Sequence, residues 1–258
     1  MVRDDEGVRG RDARPAGSQA VVRALRVLGC FRDHGPELGA TDIARLLDLR
    51  TSTAHRLART LVAEGFLEQD RATSRYRLGA AVVELGRALY RHRGLYRVEP
   101  LMRTLAEATG TSPGLAIRSG DRAVVVAGEA VEPESGIGVY IPLHASAMGK
   151  VLLAWDRDFA PEDLGALEAL TETTITDPDR LVRVLERVRE DGYAFNDGEI
   201  TPLKRTVAVP LTDEAGEVRM ALALRADAES LPVERVPELA AVAREFAPAF
   251  QRLLLRTS

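Results

Sequence analysis

The sequence predicts an α+β protein in two parts: a small, mainly helical unit, then a larger one whose helices surround a mainly antiparallel sheet. Three observations carry this expectation. Between residues 18 and 64 the apolar residues recur three, four and seven apart, the period of a helix, whereas from residue 112 onward short runs such as "GLAIRS", "RTVAVPLT" and "VRMALALRA" suit strands. The charge also changes sign between the parts. Residues 18–97 carry 14 basic and 8 acidic groups, and residues 98–258 carry 17 basic and 27 acidic. A basic first part on an acidic remainder directs any polyanion to the first part.

In chain order, residues 1–17 mix charges with Gly and Pro and predict a disordered tail. Ser18 is a candidate cap for a first helix with Val21, Leu25, Leu28 and Phe31 on its apolar stripe, ended by "DHGPELG". Thr41 is a candidate cap for a short second helix through Leu47, burying Ile43, Leu46 and Leu47. A third helix, "RTSTAHRLARTLVAE", runs to about Glu64 and is stopped by Gly65. Its Ser52, His55, Arg56 and Arg59 share one face, opposite Ala54, Leu57, Ala58 and Leu61. Two short strands follow, "FLEQ" and "RYRL", with Tyr76 and Leu78 on one side and Arg75 and Arg77 on the other. Three helices followed by a basic hairpin is the order of a winged helix-turn-helix, here residues 18–79. Residues 80–97 then read as a linker helix.

The second part, residues 98–258, opens with a helix, "VEPLMRTLAEATG". A hairpin turning at "SGDR" comes next, then the strand "GVYIP" and a helix, "HASAMGKVLLAW". Asp177 and Pro178 open a further helix by cap and first-turn proline. Two strands around "DEAGE" and a last helix, "VERVPELAAVAREFAPAFQRLLL", complete it. No apolar run is long enough to span a membrane, and the start lacks the apolar core of a secretory leader. One cysteine, Cys30, leaves no internal disulfide, so a cytoplasmic protein is expected. The histidines His34, His55, His92 and His144 are scattered, and neither a metal site nor a cofactor is expected.

These residues resemble the IclR family of bacterial transcription regulators over roughly residues 18–256. The resemblance rests on "STAHRLARTLVAEGFLEQD…RYRLG", "IPLHASAMGKVLLA", "ITDPDRL" and "GYAFNDGE" in that order. It implies an N-terminal domain bound to operator DNA, a linker helix, and a C-terminal GAF-like domain that binds a small-molecule effector. Members form dimers, often paired into tetramers. The positions matching the family's effector cavity are Ala147, Met148, Asn196, Thr206, Ala223 and Arg225. The family usually has an acid at Asn196, Gly at Leu203, Cys at Thr206 and a small residue at Arg225.

For DNA, the start of the third helix, with Arg50, Thr51 and Ser52, favours phosphate. Arg56 and Arg59 have the reach for guanine edges or phosphates, His55 donates to either, and Arg71, Arg75 and Arg77 suit a wing on the backbone or minor groove. For the effector, a helix starting near Ala145 and Arg225 together fit an organic acid. Arg225 either faces the cavity or lies at a strand end reaching solvent; the sequence leaves both open. A rival reading makes the second domain an enzyme using Ser146, His144 and Asp197, but no G-x-S-x-G elbow accompanies them. A second rival, a winged domain that binds protein rather than DNA, is disfavoured by the basic, acid-poor helix face.

Overall fold

A computed structural model describes residues 18–128 and 136–255, which form two compact units divided between Leu89 and Tyr90. The tail expected over residues 1–17 lies outside the described residues.

In the first unit, α1 (Ser18–Asp33), α2 (Ala40–Leu46) and α3 (Thr51–Ala63) are followed by the antiparallel strands β1 (Leu67–Gln69) and β2 (Tyr76–Leu78). Its core gathers Val27, Phe31, Ile43, Leu57, Leu61, Leu67 and Tyr76. Two expectations need correction. The buried face of α1 is Val27, Cys30 and Phe31, while Val21 and Leu25 are 59% and 62% exposed, so the first helix carries a second, outward apolar face. The cap of α2 is Gly39 rather than Thr41, because Asp42 accepts the Gly39 N–H at 2.9 Å. Leu38 also pairs with Tyr76 by two backbone hydrogen bonds, adding a one-residue bridge on the other side of β2. Tyr76 is buried as expected, but Leu78 is exposed.

The next helix, α4 (Ala80–His92), buries none of its residues, and Val83, Leu85 and Leu89 are exposed along it. Gly94 in the left-handed region ends this segment, and a single 3-10 turn covers Leu95–Arg97, so the helix is shorter than the 80–97 span.

The second unit contains α5 (Glu99–Thr109), β3 (Ser112–Ser119), β4 (Arg122–Gly128), β5 (Tyr140–Pro142), α6 (Ala147–Ala154), α7 (Pro178–Asp191), β6 (Ala194–Asp197), β7 (Lys204–Thr212), β8 (Val218–Asp227) and α8 (Val236–Leu254). The sheet is antiparallel throughout, in the order β5-β4-β3-β8-β7-β6. Its two faces differ in side-chain size. One carries Leu115, Val207, Val209, Leu222 and Leu224 against Leu105 of α5 and Leu239, Ala243 and Phe250 of α8. The other carries a row of small residues across four strands, Gly114, Ala223, Ala208 and Ala194, placed side by side by the register. Without large side chains there, α6 can lie close, and its Ala147 and Val151 share a core cluster with Ala194, Ala208 and Ala223.

Candidate functional sites

In the first unit, Arg50 caps α3, and Arg50, Thr51, Ser52, His55, Arg56 and Arg59 are all exposed on the side of the helix away from Ala54, Leu57 and Leu61. Neither Arg56 nor Arg59 forms an ion pair among the described residues, so both guanidiniums face solvent. The wing arginines divide. Arg71 lies exposed in the turn, where Asp70 accepts the N–H groups of Ala72 and Thr73 at 2.8 and 2.7 Å. Arg77 pairs with Glu68 across the hairpin at 3.1 Å. Arg75 pairs with Asp42 of α2 at 3.1 Å and donates to the Glu37 carbonyl at 2.9 Å, so it ties the wing to its own unit.

In the second unit, a cavity of about 450 Å3 opens beside α6. Its floor is set by register. One step along the same sheet face from the small row stands a polar one, Ser112, Arg225, Thr206 and Asn196, contributed by β3, β8, β7 and β6 in turn. All four border the cavity, and neighbours in such a row stand about 5 Å apart. Arg225 therefore sits on a central strand, two residues from its end, and borders the cavity. Ala147 and Met148 border it from the first turn of α6. Ala223 does not: it belongs to the small row beneath α6 and is fully buried. Sequence reasoning missed Ser112, Tyr140, Thr201 and Lys204 in the polar lining, and the apolar wall of Val125, Val139 and Ile141. Ser112 and Lys204 were legible from the strand pairing alone, had the register been known.

The helix α6 starts at Ala147, two residues after the expected Ala145. Its cap is Ser146, whose hydroxyl accepts from Gly149 N–H at 2.9 Å and donates to the Pro142 carbonyl at 2.7 Å. The first amides of a helix have no partner within the helix, and here Ala147 and Met148 of that first turn border the cavity. Asn196 is held rather than free: its amide donates to the Ala145 carbonyl and its oxygen accepts the Glu199 N–H at 3.2 Å. Behind the wall, Lys150 and Glu199 form an ion pair with the two side chains 1% and 9% exposed. Burial pushes the Lys150 ammonium down and the Glu199 carboxyl up, each against the attraction of the other.

The three residues of the enzyme reading are engaged separately. Ser146 is a cap, His144 Nε2 meets the Glu168 carbonyl at 3.0 Å, and Asp197 pairs with Arg205 at 2.6 Å. Among the described residues no His, Cys, Asp and Glu cluster could hold a metal, and no helix is long and apolar enough to cross a membrane.

A family model described as the bacterial transcriptional regulator IclR C-terminal matches residues 87–252, and a model of the IclR helix-turn-helix domain matches residues 20–71. The chain belongs to the IclR family. IclR regulators pair a helix-turn-helix DNA-binding domain with a C-terminal effector-binding domain, and both units of this chain fit that plan. The chain is 39% identical over 214 residues to the HTH-type transcriptional regulator BhcR of Paracoccus denitrificans, covering 78% of this chain and 75% of that one. It is 34% identical over 244 residues to the glycerol operon regulatory protein of Streptomyces coelicolor, covering 91% and 95%. Among solved structures, an IclR homologue from Microbacterium hydrocarbonoxydans complexed with 4-hydroxybenzoate superposes with a TM-score of 0.74 at 27% identity, over 91% of this chain and 98% of that one.

Proposed function

We propose that this regulator is governed by an organic acid seated on the polar row, with its carboxylate at Arg225 and the first amides of α6. The observation that carries the reading is the place of Arg225. A guanidinium on a central strand, bordering a cavity and flanked by the hydroxyls of Ser112 and Thr206, is a site for an anion with further oxygens. The apolar wall of Val125, Val139 and Ile141 suits the rest of the ligand. The domain binds this acid without turning it over, since Ser146, His144 and Asp197 do not assemble into a nucleophile and its base. The acid changes operator affinity to the extent that it binds the competent and incompetent forms unequally.

On the DNA side, Arg56, Arg59 and His55 enter the major groove, Arg50, Thr51 and Ser52 meet phosphate, and Arg71 and Arg77 extend along the backbone. Arg75 holds the wing in place. The protein acts in the cytoplasm as a homodimer, with dimers able to pair, and two apolar faces support self-association: Val21 and Leu25 of α1, and Val83, Leu85 and Leu89 of α4, all exposed in the single chain.

Calorimetric titration with 4-hydroxybenzoate, pyruvate and succinate, each beside its neutral amide, tests the effector class. At least one acid is expected to bind, its amide not to bind, and Arg225→Met to lower its affinity at least about tenfold, the scale of one charged hydrogen-bonded contact. Equal affinity of the variant for that acid overturns the reading.

A further inference from the structure

We infer that Lys150, Glu199 and Asn196 form a clamp beside the cavity, holding the start of α6 at a set distance from the turn after β6, and that they are positioning residues for the effector. The inference rests on the cavity being the effector site.

Both segments border the same cavity. Met148 and Ala147 lie two and three residues before Lys150, and Ile200 and Thr201 follow Glu199 directly. Two struts join them. The first is the Lys150–Glu199 ion pair, buried from α6 to the turn. The second is Asn196, whose amide donates to the Ala145 carbonyl just ahead of α6 while its oxygen accepts the Glu199 N–H. A carboxylate in place of Asn196 has no N–H for the Ala145 carbonyl, so the second strut depends on the amide. On its outer side the turn is anchored by three hydroxyls: Thr171, Thr173 and Thr174 donate to the carbonyls of Gly198, Asp197 and Glu199 at 2.8, 3.1 and 2.6 Å.

The ion pair is a poor device for stability alone. Removing two charges from water costs about as much as their attraction returns, and replacing such a pair by apolar side chains of similar volume often leaves overall stability unchanged. What a charged, directional bond adds is a fixed length between the elements it joins. Here that length sets how two cavity-lining segments stand beside one another, and a preorganised wall reduces the ordering that a ligand must impose.

The test uses the full chain with two variants, Lys150→Met/Glu199→Met together and Asn196→Asp. The double variant replaces the pair with side chains of similar volume and is expected to melt close to the parent. Amide exchange in residues 145–150 and 198–203 of the ligand-free protein is expected to quicken in both segments together. In both variants, affinity for whichever of 4-hydroxybenzoate, pyruvate or succinate the parent binds is expected to fall by roughly tenfold as preorganisation is lost. A folded variant with parental exchange and parental affinity overturns the clamp, as does faster exchange in one segment alone. If the double variant does not fold, Asn196→Asp decides by the same readings. Failure of the organic-acid reading shows itself differently, as a parent that binds none of the three acids or an Arg225→Met variant that binds as before, and the exchange measurement needs no ligand.

Discussion

Arg75, at the lead into the second wing strand, reaches Asp42 of α2 at 3.1 Å, and the same carboxylate accepts the Gly39 N–H that caps that helix. One acid thus fixes both the helix start and the wing. Arg75→Ala is expected to quicken amide exchange in residues 67–78 while leaving α3 unchanged. The Asp42 carboxyl is held below its ordinary value, chiefly by the Gly39 N–H and further by Arg75. A carboxyl depressed in the folded state adds stability above the unfolded value of 3.8, and that stability is lost as pH falls through the folded value. Asp42→Ala should therefore be less stable than the parent at pH 7, with the gap closing in acid. A gap that persists at low pH would argue against this assignment.

Arg56 and Arg59 differ from Arg75 in having solvent rather than an acid before them. Each phosphate contact removed lowers the steepness of log affinity against log salt by about 0.9, whereas loss of a base contact costs roughly 1–3 kcal/mol on the matched sequence. Arg56→Ala and Arg59→Ala are each expected to show one of these two signatures in duplex-binding titrations. Arg75→Ala should leave the salt dependence as it was. If all three variants behave alike, the exposed face of α3 is not the reading surface.

Gly149 and Gly86 predict opposite outcomes for the same replacement. A Cβ at Gly149 would overlap the carbonyl oxygen and Cα of Leu143 and the Ser146 hydroxyl, so Gly149→Ala forces the start of α6 off its cap. The loss should exceed the roughly 1–3 kcal/mol of ordinary overpacking, and acid binding should fail with it. Gly86 lies inside α4 with open space around the position. Gly86→Ala should add about 0.5–1 kcal/mol to that helix by helix propensity. Melting of the two variants gives the comparison.

Leu203 has φ +63° and is 78% exposed, so a branched side chain stands in the left-handed region with little packing in return. Such a conformation costs a non-glycine residue about 1 kcal/mol or more, which outweighs the added freedom that glycine brings to the unfolded chain. Leu203→Gly is expected to raise the stability of the second unit by up to about 1 kcal/mol, and Leu203→Ala to give no gain. Equal melting of the glycine and alanine variants would remove the explanation.

Tyr90 donates its hydroxyl to the Glu99 carboxylate, and burial, then that hydrogen bond, raise its pKa from 10.0 to about 12. A group raised on folding stabilises fully below the unfolded value and loses that contribution as pH rises through the folded one. The absorbance titration of the parent minus that of Tyr90→Phe should show one phenol ionising near pH 12 rather than near 10.

By itself the sequence determined the local elements and their order. The stripe in "TSTAHRLARTLVA" is short-range information, since residues three and four apart on a helix share a face whatever lies beyond. Hence α3, its exposed basic side and its buried Leu57 and Leu61 were legible, as were the hairpin, the Asp177–Pro178 helix start and the alternation that puts Arg225 with Ala223 and Ala221. What the tertiary structure decided was adjacency. Strand register is fixed by pairings between residues far apart in the chain, and it alone sets Ser112, Arg225, Thr206 and Asn196 in one row while placing Ala223 under α6. The same holds for charge. Arg75 and Arg77 read like Arg56 and Arg59 along the chain, and only folding brings acids to the first pair and leaves the second pair facing solvent.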